Sequence, residues 1–219
     1  MRFRVVCISR TTAAGGENVG QAVAQRLGFR YVDEQIIERA AQQAQVDPAL
    51  VAKAEHRQAL LQRLLDKMPN AAALTGIVTL ATGVPGDAFV PAPAASGGGV
   101  SDLRVMIQAA IHEVAAAGQA VIVAHAASIA LAGTGGVLRV LVTASTETRV
   151  RRVAEFERII EAEAERRIAA SDRERREYFQ RFYKLPDERP THYDLVINTD
   201  VLTAAQATAV VLAAAQAPA

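Results

Sequence analysis

The residues that could do chemistry begin in a turn of small side chains near the start of the sequence. An apolar run, Val5 to Ile8, leads into the turn Ser9 to Asn18, and a helical pattern follows it. A turn that joins a strand to a helix N-terminus directs unpaired backbone N–H groups and the positive end of the helix dipole at one point. This pattern predicts an anion site; a tight turn whose glycines serve helix packing is the alternative.

The charged groups of a phosphate-binding consensus are missing from this turn. The consensus GxxxxGK[ST] adds a Lys for the outer phosphates and a hydroxyl for Mg²⁺. Gly16 stands at the Lys position, and Glu17 and Asn18 follow it. Glu17 suits the helix dipole but competes with a bound triphosphate. Ala13 would be strained if the turn requires a positive φ there.

The arginines are the second feature of the sequence that could indicate chemistry, because arginine outnumbers lysine 21 to three. Eleven arginines lie between Arg149 and Arg189, among 12 basic and 10 acidic residues. Guanidinium groups suit phosphate binding, although a GC-rich genome also raises arginine and alanine together. A solvated helix with i,i+4 ion pairs gives the same pattern. The spacing of Asp172 to Arg175 favours a clamp, because Arg173 and Arg175 project from different faces of a helix.

Composition argues against several other classes. A net charge of +1 argues against wholesale binding of nucleic acid or a membrane surface. No uncharged apolar run reaches the roughly 18 residues of a membrane-spanning helix. The single cysteine, Cys7, excludes an internal disulfide and a CxxC metal site, and no GxSxG motif is present. We expect a cytoplasmic protein without nucleic-acid or membrane partners, and the sequence is compatible with a homo-oligomer.

Short β-branched runs alternate with longer helical patterns, which indicates a parallel sheet covered by helices. The predicted strands are Arg4–Ile8, Phe29–Val32, Gln119–Ala124, Val137–Val142 and Tyr193–Ile197. The predicted helices begin near Gly16, Glu34, Asp47, Ser101, Ser145 and Thr203. In the helix that begins near Ser145, Val153, Phe156 and Ile160 are expected to form the inner face.

The middle of the sequence has a different composition. Residues 83–99 are mostly Gly, Pro and Ala, and they end in Ser96 and three glycines. Such a stretch predicts a flexible linker. We therefore predict a core formed by residues 1–46 and 100–219, with residues 47–99 as a helical insert followed by the linker.

Several segments resemble the cytidylate kinase-like family, a branch of the P-loop nucleoside monophosphate kinases. Members of that family open with a strand, Ile-Ser-Arg, a glycine-rich turn, a helix ending in Leu-Gly, and a Tyr-Asp-x-x-Ile-Ile segment. The similar segments here are Ile8–Arg10, Gly15–Gly16, Leu27–Gly28, Tyr31–Ile37, Val121–Val123, Ala144–Arg152, Ser171–Phe179 and Tyr193–Thr199. The resemblance implies a three-layer α/β P-loop kinase-like fold, with about five parallel strands and a lid over residues 165–190.

The resemblance also implies an activity and a set of site residues. The implied enzyme transfers the γ-phosphate of ATP, with Mg²⁺, to a nucleoside monophosphate such as CMP. The implied nucleotide-binding residues are Ser9, Arg10, Gly15, Gly16, Glu17, Asn18, Arg149 and Arg152. The implied catalytic residues are Asp33, Arg173 and Arg175, and the implied acceptor-binding residues are Asp33, Arg39 and His125. Asp33 would also lie near Mg²⁺, with a role as helix N-cap as its alternative.

The sequence departs from the family pattern at two places. Ala13 and Ala14 stand where the family has Gly-Ser, which makes the phosphate-binding loop degenerate, and His125 stands where it has Arg. These departures favour an alternative function, a catalytically weakened protein that binds a nucleotide or anion in a regulatory or interaction role. A kinase of a different small metabolite is the third hypothesis. The expected partner of the protein is a nucleotide or a small phosphorylated substrate.

Overall fold

Alternating apolar side chains build the central strand of the sheet. In β1 (Val5–Arg10), Val5 and Cys7 belong to one cluster of buried residues, and Val6 and Ile8 belong to another. Successive side chains of a strand point to opposite faces, so a strand that is apolar throughout must be covered on both sides. Burial raises the pKa of the Cys7 thiol well above its usual range, as expected for a core residue.

The computed structural model describes residues 3–33, 100–123 and 126–217, with the backbone alone for 100–106. The other strands are β2 (Arg30–Val32), β3 (Ala120–Val123), β4 (Val137–Thr143) and β5 (Leu195–Asn198). The helices are α1 (Gly16–Leu27), α2 (Val100–Ala117), α3 (Ala127–Ala130), α4 (Thr146–Glu157), α5 (Glu161–Tyr183) and α6 (Ala204–Gln216). A 3₁₀ turn, Pro190–His192, precedes β5. The five predicted strands are confirmed to within two residues at each end.

The strand order places β1 at the centre of a parallel sheet. The order is β2-β3-β1-β4-β5, and Ile8 is in register with Val123 of β3 and Val140 of β4. From β1 the chain continues to β2, on one side of β1 in the sheet. From β3 it crosses to β4, on the other side of β1, so the two connections run in opposite directions. Open parallel sheets bind ligands beyond the carboxyl ends of their strands at such a switch point. The turn after Arg10 lies there.

Helices cover both faces of the sheet, which confirms the predicted three-layer α/β fold. On one face α2 contributes Ile107, Ile111 and Val114, and on the other α1 contributes Val19 and Val23. Within the described ranges, no helix is both long enough and apolar enough to cross a membrane. The predicted helix from Glu34 and the predicted insert and linker, residues 47–99, lie outside the described residues, so the division into core and insert stays a prediction.

Two glycines bound α1, and a third brings it close to the sheet. Gly15 and Gly28 are left-handed, with φ of 81° and 67°, and Gly28 donates backbone hydrogen bonds to the last turn of the helix. Glycine adopts this conformation without a Cβ clash, which accounts for both ends of the helix. At Gly20, a Cβ would lie 2.4 Å from Cγ2 of Val123. The helix therefore rests on β3 at a separation that no larger residue permits without movement.

One sequence prediction is wrong in the segment after Ser145. The hydroxyl of Ser145 caps α4 by accepting a hydrogen bond from the backbone N–H of Thr148, but the helix ends at Glu157. Arg158 is left-handed, with φ of 55°, and turns the chain into α5. Phe156 and Ile160 are consequently 88% and 71% exposed, not on the inner face. Val153, Ala164 and Ile168 form the apolar contact between the two helices.

We expect Gly20→Ala to lower the free energy of unfolding by about 1–2 kcal/mol, because the strain of overpacking exceeds the gain in helix propensity. Urea unfolding measures the difference. Gly135→Ala is the matched control, since nothing lies within 4 Å of a Cβ added there. Equal stability of the two variants would show that α1 can move away from β3 at little cost.

Candidate functional site

The turn between β1 and α1 is held in a conformation that leaves the start of the helix uncapped. Ala13 has φ of 63°, the left-handed value that the sequence identified as strained, and Ala14 is buried. The backbone N–H of Ala14 donates to the carbonyl of Thr11 at 3.1 Å. Gly15 is the N-cap, and no side chain caps α1. The first N–H groups of a helix have no intrahelical partner, so they are available to an anion at this edge of the sheet.

Arg10 and Glu17 form an ion pair across this turn. The Nε of Arg10 contacts Oε1 of Glu17, and the Glu17 side chain is 47% exposed. The side chain of Arg10 lies over Gly16, where a Cβ would be 2.6 Å from Cβ of Arg10. Gly16 is therefore required for the packing of Arg10 against the helix. The pair neutralises the one cation contributed by the turn itself.

Arg152 of α4 fastens the turn to the end of β5. Its Nη1 donates to the carbonyl of Ala13 and to Oγ1 of Thr199, both at 3.1 Å, and its Nη2 donates to the carbonyl of Thr199 at 2.6 Å. The hydroxyl of Thr199 donates in turn to the carbonyl of Ala14 at 2.9 Å. These bonds hold the carbonyl groups of the turn on the side of α4 and thereby fix its backbone.

Arg175 of α5 reaches the last buried position of β1. Its Nη2 donates to Oγ of Ser9 at 2.7 Å, and its Nε and Nη2 donate to the two carboxylate oxygens of Glu188, also at 2.7 Å. The hydroxyl of Tyr193 donates to Glu188 and lies 3.2 Å from Oγ of Ser9. Ser9, near the end of β1, is thus joined to Arg175 within α5 and to two residues that follow this helix, Glu188 and Tyr193. We call Ser9, Arg175, Glu188 and Tyr193 the Ser9 cluster.

Arg149 is buried and serves the contact between α4 and α5. Its Nη1 and Nη2 donate to the two carboxylate oxygens of Asp172 at 2.8 and 2.7 Å. The Arg149 side chain is 6% exposed. One turn of α5 also contacts the turn after β1 directly, because Oγ of Ser171 lies 2.6 Å from Oγ1 of Thr12. Arg149 therefore pairs with a carboxylate of the neighbouring helix. Ser171, in contrast, contacts a residue of the predicted anion site.

The end of β5 is tied to the start of α4 by Asp200. Its carboxylate accepts a hydrogen bond from the backbone N–H of Ser145 at 2.8 Å and another from Asn198 at 3.1 Å. The bond from Ser145 is the largest cause that lowers the pKa of Asp200 to about 2. The hydrogen bond between Asp200 and Ser145 fixes the beginning of α4. It thereby helps to position Arg149 and Arg152, which α4 carries.

The remaining predicted residues are placed as follows. Asp33 directly follows β2, two strands from β1 or roughly 10 Å at ordinary strand spacing, and is half-buried. Asn18 and Arg173 are exposed. Arg39 and His125 lie outside the described residues, so their acceptor-binding roles stay predictions. Among the residues that the structure describes, no group of three or more His, Cys, Asp or Glu side chains is arranged to hold a metal ion.

The sequence did not indicate which carboxylate pairs with each arginine of the site, and Glu188 was not among the predicted residues. Each of three predicted arginines pairs with a carboxylate: Arg10 with Glu17, Arg149 with Asp172, and Arg175 with Glu188. Glu188 lies 13 positions from Arg175 and 179 from Ser9, a separation that no short motif marks. Asp172 belongs to the segment singled out for its arginines, but its partner is Arg149 of the preceding helix, 23 positions away.

Fold and site together define a class. A central parallel strand ends in a glycine-containing turn, an uncapped helix follows the turn, and arginines from later helices converge on it. These are the features of an α/β protein with a P-loop kinase-like fold. A model of the cytidylate kinase-like family matches residues 5–201. The chain belongs to that family.

Several solved structures are similar to this chain at low sequence identity, and one of them has a TM-score above 0.5. An uncharacterized protein from Eubacterium ventriosum is similar with a TM-score of 0.62 and 14% identity, covering 98% of this chain and 99% of that one. A shikimate kinase from Bacteroides thetaiotaomicron has a TM-score of 0.47 at 14% identity, covering 94% and 95% of the two chains. A gluconokinase from Sinorhizobium meliloti has a TM-score of 0.48 at 14% identity, covering 98% and 93%. No curated protein matches the chain.

We expect Asp172→Asn to lower the free energy of unfolding by about 2–3 kcal/mol, because it leaves the buried guanidinium of Arg149 without its countercharge. The double variant Arg149→Met/Asp172→Leu should recover much of this loss, since it removes both charges together. Glu177→Gln, an exposed change on the same helix, is the control and should stay within about 0.5 kcal/mol. Equal stability of Asp172→Asn and the control in urea would contradict the role assigned to the pair.

Proposed function

We propose that the chain is a nucleotide-dependent phosphotransferase that holds the phosphates of ATP at the turn Ser9 to Asn18. It would pass the γ-phosphate to a nucleoside monophosphate such as CMP. The observation that carries the proposal is the convergence of Arg152 and Arg175 on this turn, beside the uncapped start of α1. Phosphoryl transfer asks a protein mainly for positioning and for neutralisation of phosphate charge, and this arrangement can supply both.

The donor side of the proposed site uses backbone and arginine in place of a lysine. The first N–H groups of α1 would bind the phosphate oxygens, and Arg152 would hold the turn in the conformation that presents them. Among the described arginines named for this site, Arg152 is the one paired with neutral oxygens and no carboxylate. Its charge is therefore available to stabilise an anion held by the neighbouring backbone.

Mg²⁺ would enter together with the nucleotide. The donor set fits that mode, because Mg²⁺ is usually held by one or two carboxylates, substrate phosphates and water, not by a full protein cage. Asp33, half-buried at the carboxyl end of β2, is the residue that we propose to hold it through water. When bound, the ion neutralises phosphate charge; the protein contributes orientation through the turn and its arginines.

The acceptor side rests on the family resemblance. Asp33 is proposed to face the acceptor phosphate, with Arg39 and His125 as its neighbours in that role. His125 follows β3, which ends beside β1 at the switch point of the sheet. A protonated imidazole can donate a charged hydrogen bond to a phosphate. The identity of the acceptor, CMP and not another small molecule, rests on the family resemblance alone.

A second function is favoured by the chemistry of the turn itself. Glu17 pairs with Arg10 and adds negative charge where a triphosphate would bind, and Ala13 and Ala14 take the place of smaller or more polar residues. A protein with this turn could bind a nucleotide or another anion weakly, without turnover, in a regulatory or interaction role. Both functions require the protein to bind a nucleotide or another anion, but only the kinase turns ATP over.

Turnover and binding measured on the same preparation separate these functions. We expect ADP release in a coupled assay with MgATP and at least one of CMP, UMP, AMP or GMP. We also expect MgATP or ADP at 100 times its Kd to stabilise the protein by about 2.7 kcal/mol. Stabilisation without turnover would support the binding protein. Absence of both would overturn the two proposals together.

Arg175→Ala should weaken ADP binding by about 10-fold or more, because a charge-assisted contact to phosphate is lost. Arg176→Ala is the matched control: the same change of charge on the next residue of α5, which is exposed. Isothermal titration calorimetry with ADP measures both, and urea unfolding confirms that each variant is folded. Equal affinities would assign Arg175 to helix packing alone.

A further inference from the structure

The Ser9 cluster contains a carboxylate to which the proposed function assigns no task. Glu188 lies in the loop between α5 and the 3₁₀ turn, and its side chain is 15% exposed. Its Oε2 accepts a hydrogen bond from Nε of Arg175, and its Oε1 accepts from Nη2 of Arg175 and from the hydroxyls of Ser9 and Tyr193. Four donors on one carboxylate satisfy it fully, which is what a buried charge requires.

These contacts fix the orientation of Arg175 as well as its charge. Glu188 binds the edge of the guanidinium formed by Nε and Nη2, and Cζ lies 5.0 Å from the centre of the Phe179 ring. A bidentate carboxylate and an aromatic face together determine the plane and the rotation of the group. The third nitrogen, Nη1, has no hydrogen-bond partner among the described residues.

We propose that Glu188, with Tyr193, is a positioning residue that holds Arg175 against Ser9 so that Nη1 stays available to a phosphate at the turn. The inference rests on the proposed function, because it assumes an anion bound beside Ser9. Its physical basis is pre-organisation: a guanidinium already fixed by a carboxylate loses little further freedom when the ligand arrives. Glu188 acts through Arg175 and needs no contact with the ligand itself.

The opposite role for Glu188 gives the opposite result in the same experiment. If the carboxylate occupied the place of a phosphate, the ligand would have to displace it, and removing its charge would tighten binding. The hydrogen bonds favour positioning, because displacement would also break the contacts of Glu188 with Ser9 and Tyr193. A carboxylate stripped of four donors in a largely buried place is costly.

The test compares Glu188→Gln with Asp187→Asn, which removes the same charge from the preceding, exposed residue. We expect Glu188→Gln to weaken ADP binding by about 10-fold, since the ionic contact that orients Arg175 is lost. Tyr193→Phe, which keeps the charge and the ring, should give a smaller loss in the same direction. Asp187→Asn should bind as the unaltered protein does. Unchanged affinity in Glu188→Gln, or tighter binding, would overturn the proposal.

A second measurement needs no ligand and guards against a variant that fails to fold. In ¹⁵N-labelled protein, the Nε–H resonance of Arg175, assigned by its loss in Arg175→Lys, should exchange slowly with water. It should exchange fast in Glu188→Gln and, to a lesser degree, in Tyr193→Phe. A signal that exchanges fast in the unaltered protein would overturn the positioning role. Failure of the unaltered protein to bind ADP or MgATP would instead reject the proposed function, so the two failures are distinguishable.

Discussion

Pairing between arginines and carboxylates of the same chain holds α5 against α4 and beside the end of β1. The apolar contact between α4 and α5 is small, with Val153, Ala164 and Ile168 as its buried members. The pair of Arg149 and Asp172 supplements it within the helix hairpin. Asp172 binds Nη1 and Nη2 of Arg149, whereas the buried Nε has no hydrogen-bond partner among the described residues, so the pair imposes orientation more than it adds stability.

The same pairing shapes what the candidate site offers to an anion. Because Glu17 and Glu188 compensate Arg10 and Arg175, the long-range field at the turn is weaker than the number of arginines suggests. Recognition would then depend on short-range, directional donors: the helix N–H groups and guanidinium nitrogens held in place beforehand. Fixed donors of this kind need no reorganisation when charge arrives, which suits phosphate chemistry better than a diffuse positive surface.

Residues distant in sequence stabilise the strained backbone conformation of the turn between β1 and α1. The left-handed conformation of Ala13 costs roughly 1–2 kcal/mol relative to an ordinary one. Arg152 and Thr199 bind the carbonyl groups of Ala13 and Ala14, so α4 and the end of β5 keep the turn in that conformation. A family pattern with glycine would need less support, and the substitution in this chain makes the turn more dependent on its neighbours.

The sequence was sufficient for the fold and for the position of the turn, because both depend on local patterns. The apolar run Val5 to Ile8 predicted β1, and the turn of small residues after it predicted the start of α1. The sequence was insufficient where contacts between residues distant in the chain determine the structure. The left-handed Arg158 splits one predicted helix into two, since an arginine carries no local signal for that conformation. Glu188 joins Ser9 across most of the chain, and no spacing in the sequence could have paired them.

The preference for arginine has a local physical reason at this site, whatever the genome contributes to it. Arg149 and Arg175 each bind both oxygens of a carboxylate, and Arg152 bridges the turn and Thr199 with three hydrogen bonds. These contacts need several donors in one plane, whereas a lysine presents a single rotating ammonium group. The one lysine in the described residues, Lys184, ends α5 in a left-handed conformation and is exposed. Substituting lysine at any of the three arginine positions would keep the charge and lose the geometry, so the site depends on the shape of the guanidinium group more than on its sign.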